Sequence, residues 1–103
     1  SFEVTKSKTY PVPIAELWRA FLGCKLWLGG ETLRMSKATK HKTMRLRFTD
    51  GTPVEAYFLA KGPAKSTLSV QHRKLASRAE AARLRTYWAE RLAAIGELLE
   101  RGR

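Results

Sequence analysis

The stretch Thr43-Met44-Arg45-Leu46-Arg47-Phe48-Thr49-Asp50-Gly51-Thr52-Pro53-Val54-Glu55-Ala56-Tyr57-Phe58-Leu59-Ala60-Lys61 decides the fold. In its first half Met44, Leu46 and Phe48 point one way and Arg45 and Arg47 the other, the period of a strand buried on one face. Asp50-Gly51 then marks a hairpin, and a tight type I′ turn is expected because both residues tolerate positive φ. The return leg, residues 54–61, puts Val54, Ala56, Phe58 and Ala60 on one face and Tyr57 and Leu59 on the other. Gly62-Pro63 turns the chain again. Residues 65–73 form a third strand, with Leu68, Val70 and His72 alternating against Thr67, Ser69 and Gln71. Strands joined by hairpins pair antiparallel.

Toward the C-terminus, Ser77-Arg78-Ala79-Glu80 reads as a capping box, in which the Ser hydroxyl and the Glu carboxylate each satisfy a free N–H at the helix start. The helix it opens runs to about Glu100. Ala81, Leu84, Trp88, Leu92, Ile95 and Leu99 recur at steps of three and four and form one apolar stripe. Such a rod of about 22 residues is roughly 33 Å long, enough to cross a small sheet. Toward the N-terminus, residues 2–10 alternate as a strand that Pro11 and Pro13 end. Pro13 suits the first helical position, where a missing N–H costs nothing. Ile14, Leu17, Trp18 and Phe21 then predict a short amphipathic helix over 14–22. Residues 25–28 form one further turn before Gly29-Gly30, and 31–37 is a fifth, weaker strand. The expectation is one α+β domain, residues 1–103: an antiparallel sheet of about five strands, a short helix after the first strand, and a long C-terminal helix gripped by the sheet.

Three stretches carry a family resemblance. Residues 10–21, Tyr-Pro-Val-Pro-Ile-Ala-Glu-Leu-Trp-Arg-Ala-Phe, are similar to the opening strand, proline and Val-Trp-x-Ala helix of the helix-grip superfamily, which includes START domains and polyketide cyclases (the SRPBCC group). Leu26-Trp27-Leu28-Gly29-Gly30 resembles its Trp-Leu-Gly segment. Residues 65–72 with 87–92 resemble its last strand and final helix. The branch most resembled is that of the activator of the heat-shock protein 90 ATPase. Members usually have six or seven strands, so five imply a reduced sheet and a smaller cavity. The chain also looks like a C-terminal domain that follows a small helical domain in some bacterial proteins, which implies a longer parent chain.

The resemblance implies a site for a small apolar or amphipathic molecule between the long helix and the concave sheet face. Its lining would be Trp18, Trp27, Met44, Leu46, Phe58, Leu68, Val70, Leu84, Trp88 and Leu92, with His72 as a polar handle. The same side chains also make an ordinary core. His72, which shares parity with Leu68 and Val70, would be a ligand-orienting or basic group if turned inward, and a half-exposed strand-end histidine hydrogen-bonded to backbone if not. Glu80 and Glu55 are the carboxylates that could approach it.

Charge offers a different reading. Twenty Lys and Arg against nine Asp and Glu give a net charge of +11, which favours polyanionic or acidic partners without specifying one. Arg34, Lys37, Lys40, Lys42, Arg45 and Arg47 fall within fourteen residues that hold no acid. Arg34, Lys42, Arg45 and Arg47 are the candidate contacts for an acidic protein partner or for a missing neighbouring domain. Nucleic acid is disfavoured, because single-strand binders interleave aromatics for stacking and this stretch has none; Tyr57 on the neighbouring strand is the one exception.

Catalytic and cofactor chemistry find little support. One cysteine, Cys24, and two separated histidines do not make a zinc spacing. Cys24 reads as a packing thiol, and its isolation fits a reducing cytoplasm. Gly29-Gly30 lacks the remainder of a phosphate loop. Asp50, the only Asp, is taken up by the turn. No cofactor or metal is expected, and a cyclase-type enzyme is the weakest reading. No apolar run is long enough for a transmembrane helix. The chain is expected to be a monomer or a homodimer, the latter through an exposed sheet edge or through spare apolar helix surface.

Overall fold

The computed structural model describes residues 1–102. The order is β1 (Phe2–Tyr10), α1 (Ile14–Leu22), a single 3-10 turn (Cys24–Leu26), β2 (Leu33–Thr39), β3 (Thr43–Phe48), β4 (Pro53–Gly62), β5 (Lys65–Leu75) and α2 (Arg78–Arg101). The five strands form one antiparallel sheet in the order β1-β5-β4-β3-β2. The expected α+β architecture is therefore present, with the short helix after the first strand.

One face of the sheet is covered and the other is open. On the covered face Val4, Met44, Leu46, Phe48, Val54, Ala56, Phe58, Leu68 and Val70 are buried, and Leu17, Trp18 and Phe21 of α1 pack against them. The stripe of α2 that faces this layer is Ala81, Leu84, Trp88, Leu92, Ile95 and Leu99, as its spacing predicts. Each fully buried Leu, Ile or Val contributes about 1.5–3 kcal/mol. The long helix packs chiefly on β1, with lesser contact on β5 and α1. Tyr10 on β1 pins it by donating its hydroxyl to the Leu92 carbonyl at 2.6 Å. Gly96 faces the Tyr10 ring, and a Cβ there would lie 3.4 Å from it, leaving room for a methyl but no more.

Local chemistry changes several expected details. The β3–β4 turn is not type I′. Only Gly51 has positive φ, at 86°, and its N–H donates to the Phe48 carbonyl at 2.8 Å. Asp50 keeps negative φ because its carboxylate accepts from the N–H and the hydroxyl of Thr52, at 3.0 and 2.5 Å. The loop is thus the longer kind that ends in a left-handed glycine. β2 starts later than expected, at Leu33, because Thr32 is drawn off by its N–H bond to Thr49 Oγ1 at 2.8 Å. β5 runs on to Leu75, which is buried and pairs with Phe2. Pro13 is the N-cap of α1 and not its first residue. Only half of the capping box forms: Ser77 Oγ accepts from Glu80 N–H at 3.0 Å, while the Glu80 carboxylate turns to the Arg83 guanidinium at 2.8 and 3.1 Å.

Candidate functional site

The interior candidates come together in one buried cluster. Trp18, Trp27, Met44, Leu46, Phe58, Leu68, Val70, Leu84, Trp88 and Leu92 are all at most 7% exposed. Trp18 meets Phe58 edge-on at 4.9 Å between centroids, and Phe21 meets Phe58 at 5.5 Å and Trp27 at 5.0 Å. Phe48 bridges to Trp88 at 6.2 Å and to Tyr87 at 5.5 Å. Trp27 is held by its indole N–H to the Ala20 carbonyl, 3.1 Å away. The segment around it is clasped from α2: Tyr87 donates to the Leu28 carbonyl and Arg91 to the Trp27 carbonyl, each at 2.6 Å. The left-handed Gly29, φ 74°, lies against Arg91, where a Cβ would come within 2.8 Å of the guanidinium. Cys24 is half-buried and packs against the core, as expected of a packing thiol.

His72 is fully buried, not half-exposed, and its partners are side chains, not backbone. Its Nδ1 accepts from the Trp88 indole N–H at 3.0 Å. An indole can only donate, so Nε2 carries the proton and donates to Thr52 Oγ1 at 2.7 Å. Thr52 in turn donates to Asp50. Asp50 is therefore not consumed by the turn; it also ends a chain running Trp88–His72–Thr52–Asp50. Burial pushes the His72 imidazole below its ordinary range, against the opposing pull of Asp50 and Glu80. With one nitrogen donating and the other occupied, His72 has no lone pair left for a general-base step. The chain ties α2 to β5 and to the β3–β4 loop.

The open face of the sheet carries the charge. Pairing places Arg34 directly opposite Arg47, and Lys37 directly opposite Arg45. On β4, Glu55 lies between two guanidiniums, 3.7 Å from Arg45 Nε and 3.2 Å from Arg73 Nη2. Arg73 also reaches Glu3 at 3.8 Å. A groove of about 590 Å³ opens here, with Arg45, Arg47, Arg73, Lys74, Glu55 and Ser36 on its walls. Of the sequence candidates for partner contact, Arg45 and Arg47 line it and Arg34 adjoins it through Arg47; Lys42 lies apart, in the β2–β3 turn. Arg73, Lys74 and Glu55 are additional members. The outward parity of Arg73 and Glu55 was readable, whereas alternation alone puts Lys74 on the inner face; the nearness of all three to Arg45 follows only from β5 lying beside β4 and β4 beside β3. The next largest cavity described, about 430 Å³, is also at the surface, between the end of α2 and α1.

Among the described residues, no group of His, Cys, Asp and Glu is placed to hold a metal ion. No described helix is long and apolar enough to cross a membrane.

No protein-family model matches the chain, and no curated protein matches it by sequence. Solved structures do match. Protein MLL2253 from Mesorhizobium loti superposes with a TM-score of 0.83 at 13% identity, over 97% of this chain and 98% of that one. The Aha1 dimer from Colwellia psychrerythraea gives 0.78 at 14%, over 97% of each chain. CalC from Micromonospora echinospora, a self-sacrificing resistance protein, gives 0.73 at 14%, over 97% of this chain and 95% of that one. These likenesses establish the fold, the helix-grip fold, with which the strand order and the gripped helix agree.

Proposed function

We propose that this chain is a non-catalytic binding module that docks an acidic protein segment on the open face of its sheet. The supporting observation is the groove walled by Arg45, Arg47, Arg73 and Lys74, the largest cavity described, on the side of the sheet that no helix covers. The interior of the grip is occupied by the protein's own aromatic rings. Complementary charge at such a surface raises encounter rates and selects acidic partners. A fluorescent peptide of alternating Glu and Gly is the probe, read by anisotropy at low and at physiological salt. Arg45→Glu with Arg47→Glu should weaken binding by at least about tenfold, the loss of one or two charge-assisted contacts. Lys25→Glu with Arg85→Glu makes the same change in net charge on the helical side and should leave most of the affinity. Equal losses in the two double variants would reduce the effect to net charge and sink the proposal.

A second reading keeps the ligand between helix and sheet. It draws on the β2 end of the covered face, where Met35 is 51% exposed and Leu33 only partly buried against the core. Native mass spectrometry of the chain as isolated tests it. A retained mass of small-molecule size that leaves on denaturation supports it, and a bare protein mass counts against it.

A further inference from the structure

The groove supports a narrower assignment, which rests on the docking role proposed above. We infer that it receives a phosphoryl group, carried as phosphoserine or phosphothreonine within an acidic segment of the partner.

The first argument is the way the cations reach this face. In a regular strand successive side chains alternate between the two faces of the sheet. Two irregularities break that rule here, and each adds a cation to the same surface. A bulge between Met35 and Lys37 shifts the register of β2, so that Arg34 and Lys37, three positions apart, both face outward opposite an arginine. At the end of β5, Lys74 adopts a left-handed φ of 58°, and Arg73 and Lys74 both line the groove. A left-handed non-glycine residue costs about 1–2 kcal/mol, and like charges directly opposite across a ladder are destabilising. The turn at Lys74 also brings Leu75 into the core, whereas the bulge in β2 buries no side chain of that strand. Six cations, Arg34, Lys37, Arg45, Arg47, Arg73 and Lys74, gather around two carboxylates, Glu55 and Glu3. Departures of this kind mark binding sites more often than accidents of folding.

The second argument is the match of charge and donors. A carboxylate brings one negative charge, whereas a phosphoryl group brings about −1.5 to −2 and three acceptor oxygens. Glu55 steadies Arg45 and Arg73 from one side, Gln71 Oε1 accepts from Arg73 Nη2 at 2.7 Å, and the Gly51 carbonyl accepts from Arg47 Nη1 at 3.2 Å. These contacts orient each guanidinium while engaging only part of its five N–H donors. The Lys74 ammonium adds a point charge at the same wall. Preheld forks lose less freedom on meeting an oxyanion.

The third argument separates a protein segment from a nucleic acid. Base stacking needs exposed aromatic faces. Tyr57 is the aromatic residue of β4 on this face, 37% exposed, and one ring alone offers a stacking platform for a single base. Beyond it the face continues as Leu59 and the hydroxyl pairs Ser7–Ser69 and Thr9–Thr67, at 2.6 and 2.7 Å, a surface suited to an extended peptide.

The test uses the labelled Glu-Gly peptide with phosphoserine at its centre, beside the same peptide carrying Ser or Glu there, and an oligouridylate. The phosphopeptide should bind at least about tenfold more tightly than the Glu peptide. Arg47→Gln with Lys74→Gln should remove that advantage without lowering the thermal midpoint, since both residues are exposed and Arg47 faces a like charge. Equal binding of the phosphoserine and Glu peptides would overturn the phosphoryl assignment and leave the docking role standing. Failure of all the peptides to bind would remove the docking role and the assignment together. Tighter binding of oligouridylate than of the phosphopeptide would make the face a nucleic-acid surface and overturn both.

Discussion

Protonated at Nε2 and accepting at Nδ1, His72 sits between a hydroxyl and an indole with both ring nitrogens engaged. Its alternation with Leu68 and Val70 left an inward side chain and a half-exposed strand-end histidine both open, and the fold buries it. Its partners could not be read, because Trp88 and Thr52 lie 16 and 20 residues away on other elements. A consequence for pH follows. Burial depresses the folded-state pKa of His72, so below about pH 6.5 the unfolded chain takes up a proton that the folded one refuses. The contribution of His72 is full above that pH, falls as pH drops toward the depressed value, and is then exhausted. Chemical denaturation across this window should show stability declining with acid, and His72→Gln should flatten the decline. Asp50, held below the usual carboxylate range first by the Thr52 hydroxyl, adds its own loss only in stronger acid. Trp88→Phe leaves Nδ1 a buried acceptor without a donor and should cost about 1–3 kcal/mol at neutral pH, before any loss of packing.

At the scale of elements, α2 shows how far periodicity carries and where it stops. Its buried stripe is the one its spacing predicts, because a helix that covers a sheet can bury only one face. Its cap is half of what the motif suggests, because Arg83, one turn on, offers Glu80 a charged partner. Ser77→Ala should therefore cost about 1 kcal/mol in urea denaturation. Glu80→Gln should leave stability almost unchanged, since an exposed pair of this kind contributes little. Gly96 faces the Tyr10 ring at a distance a methyl can occupy in ordinary contact. Gly96→Ala should then raise stability by up to about 1 kcal/mol through helix propensity, whereas a larger side chain would push α2 off β1. The strands tell a similar story: alternation located them, but the bulge in β2 and the left-handed Lys74 leave no mark in the pattern of apolar residues.

For the whole molecule, the balance of charge separates a structural role for the open face from a binding one. Arg47 faces Arg34 across the ladder, and an opposed pair of like charges costs about 0.2–1 kcal/mol. Arg47→Glu should thus stabilise the fold at low salt by about that amount while weakening capture of the acidic peptide. A loss of stability would show instead that the cations hold the sheet together. The sequence by itself determined the element order, the antiparallel pairing, the apolar face of each strand and helix, and the excess of positive charge. These are local quantities, set by side-chain period, turn chemistry and composition. Only the tertiary structure decided that the candidate ligand residues pack on one another, that Thr52 and Asp50 complete the contacts of His72, and that Arg73 and Lys74 join Arg45 and Arg47 around one groove. The reason is physical: strand order, register and local backbone irregularities bring together residues distant in the chain, and hydrophobic alternation records which way a side chain faces but not which strand lies beside it.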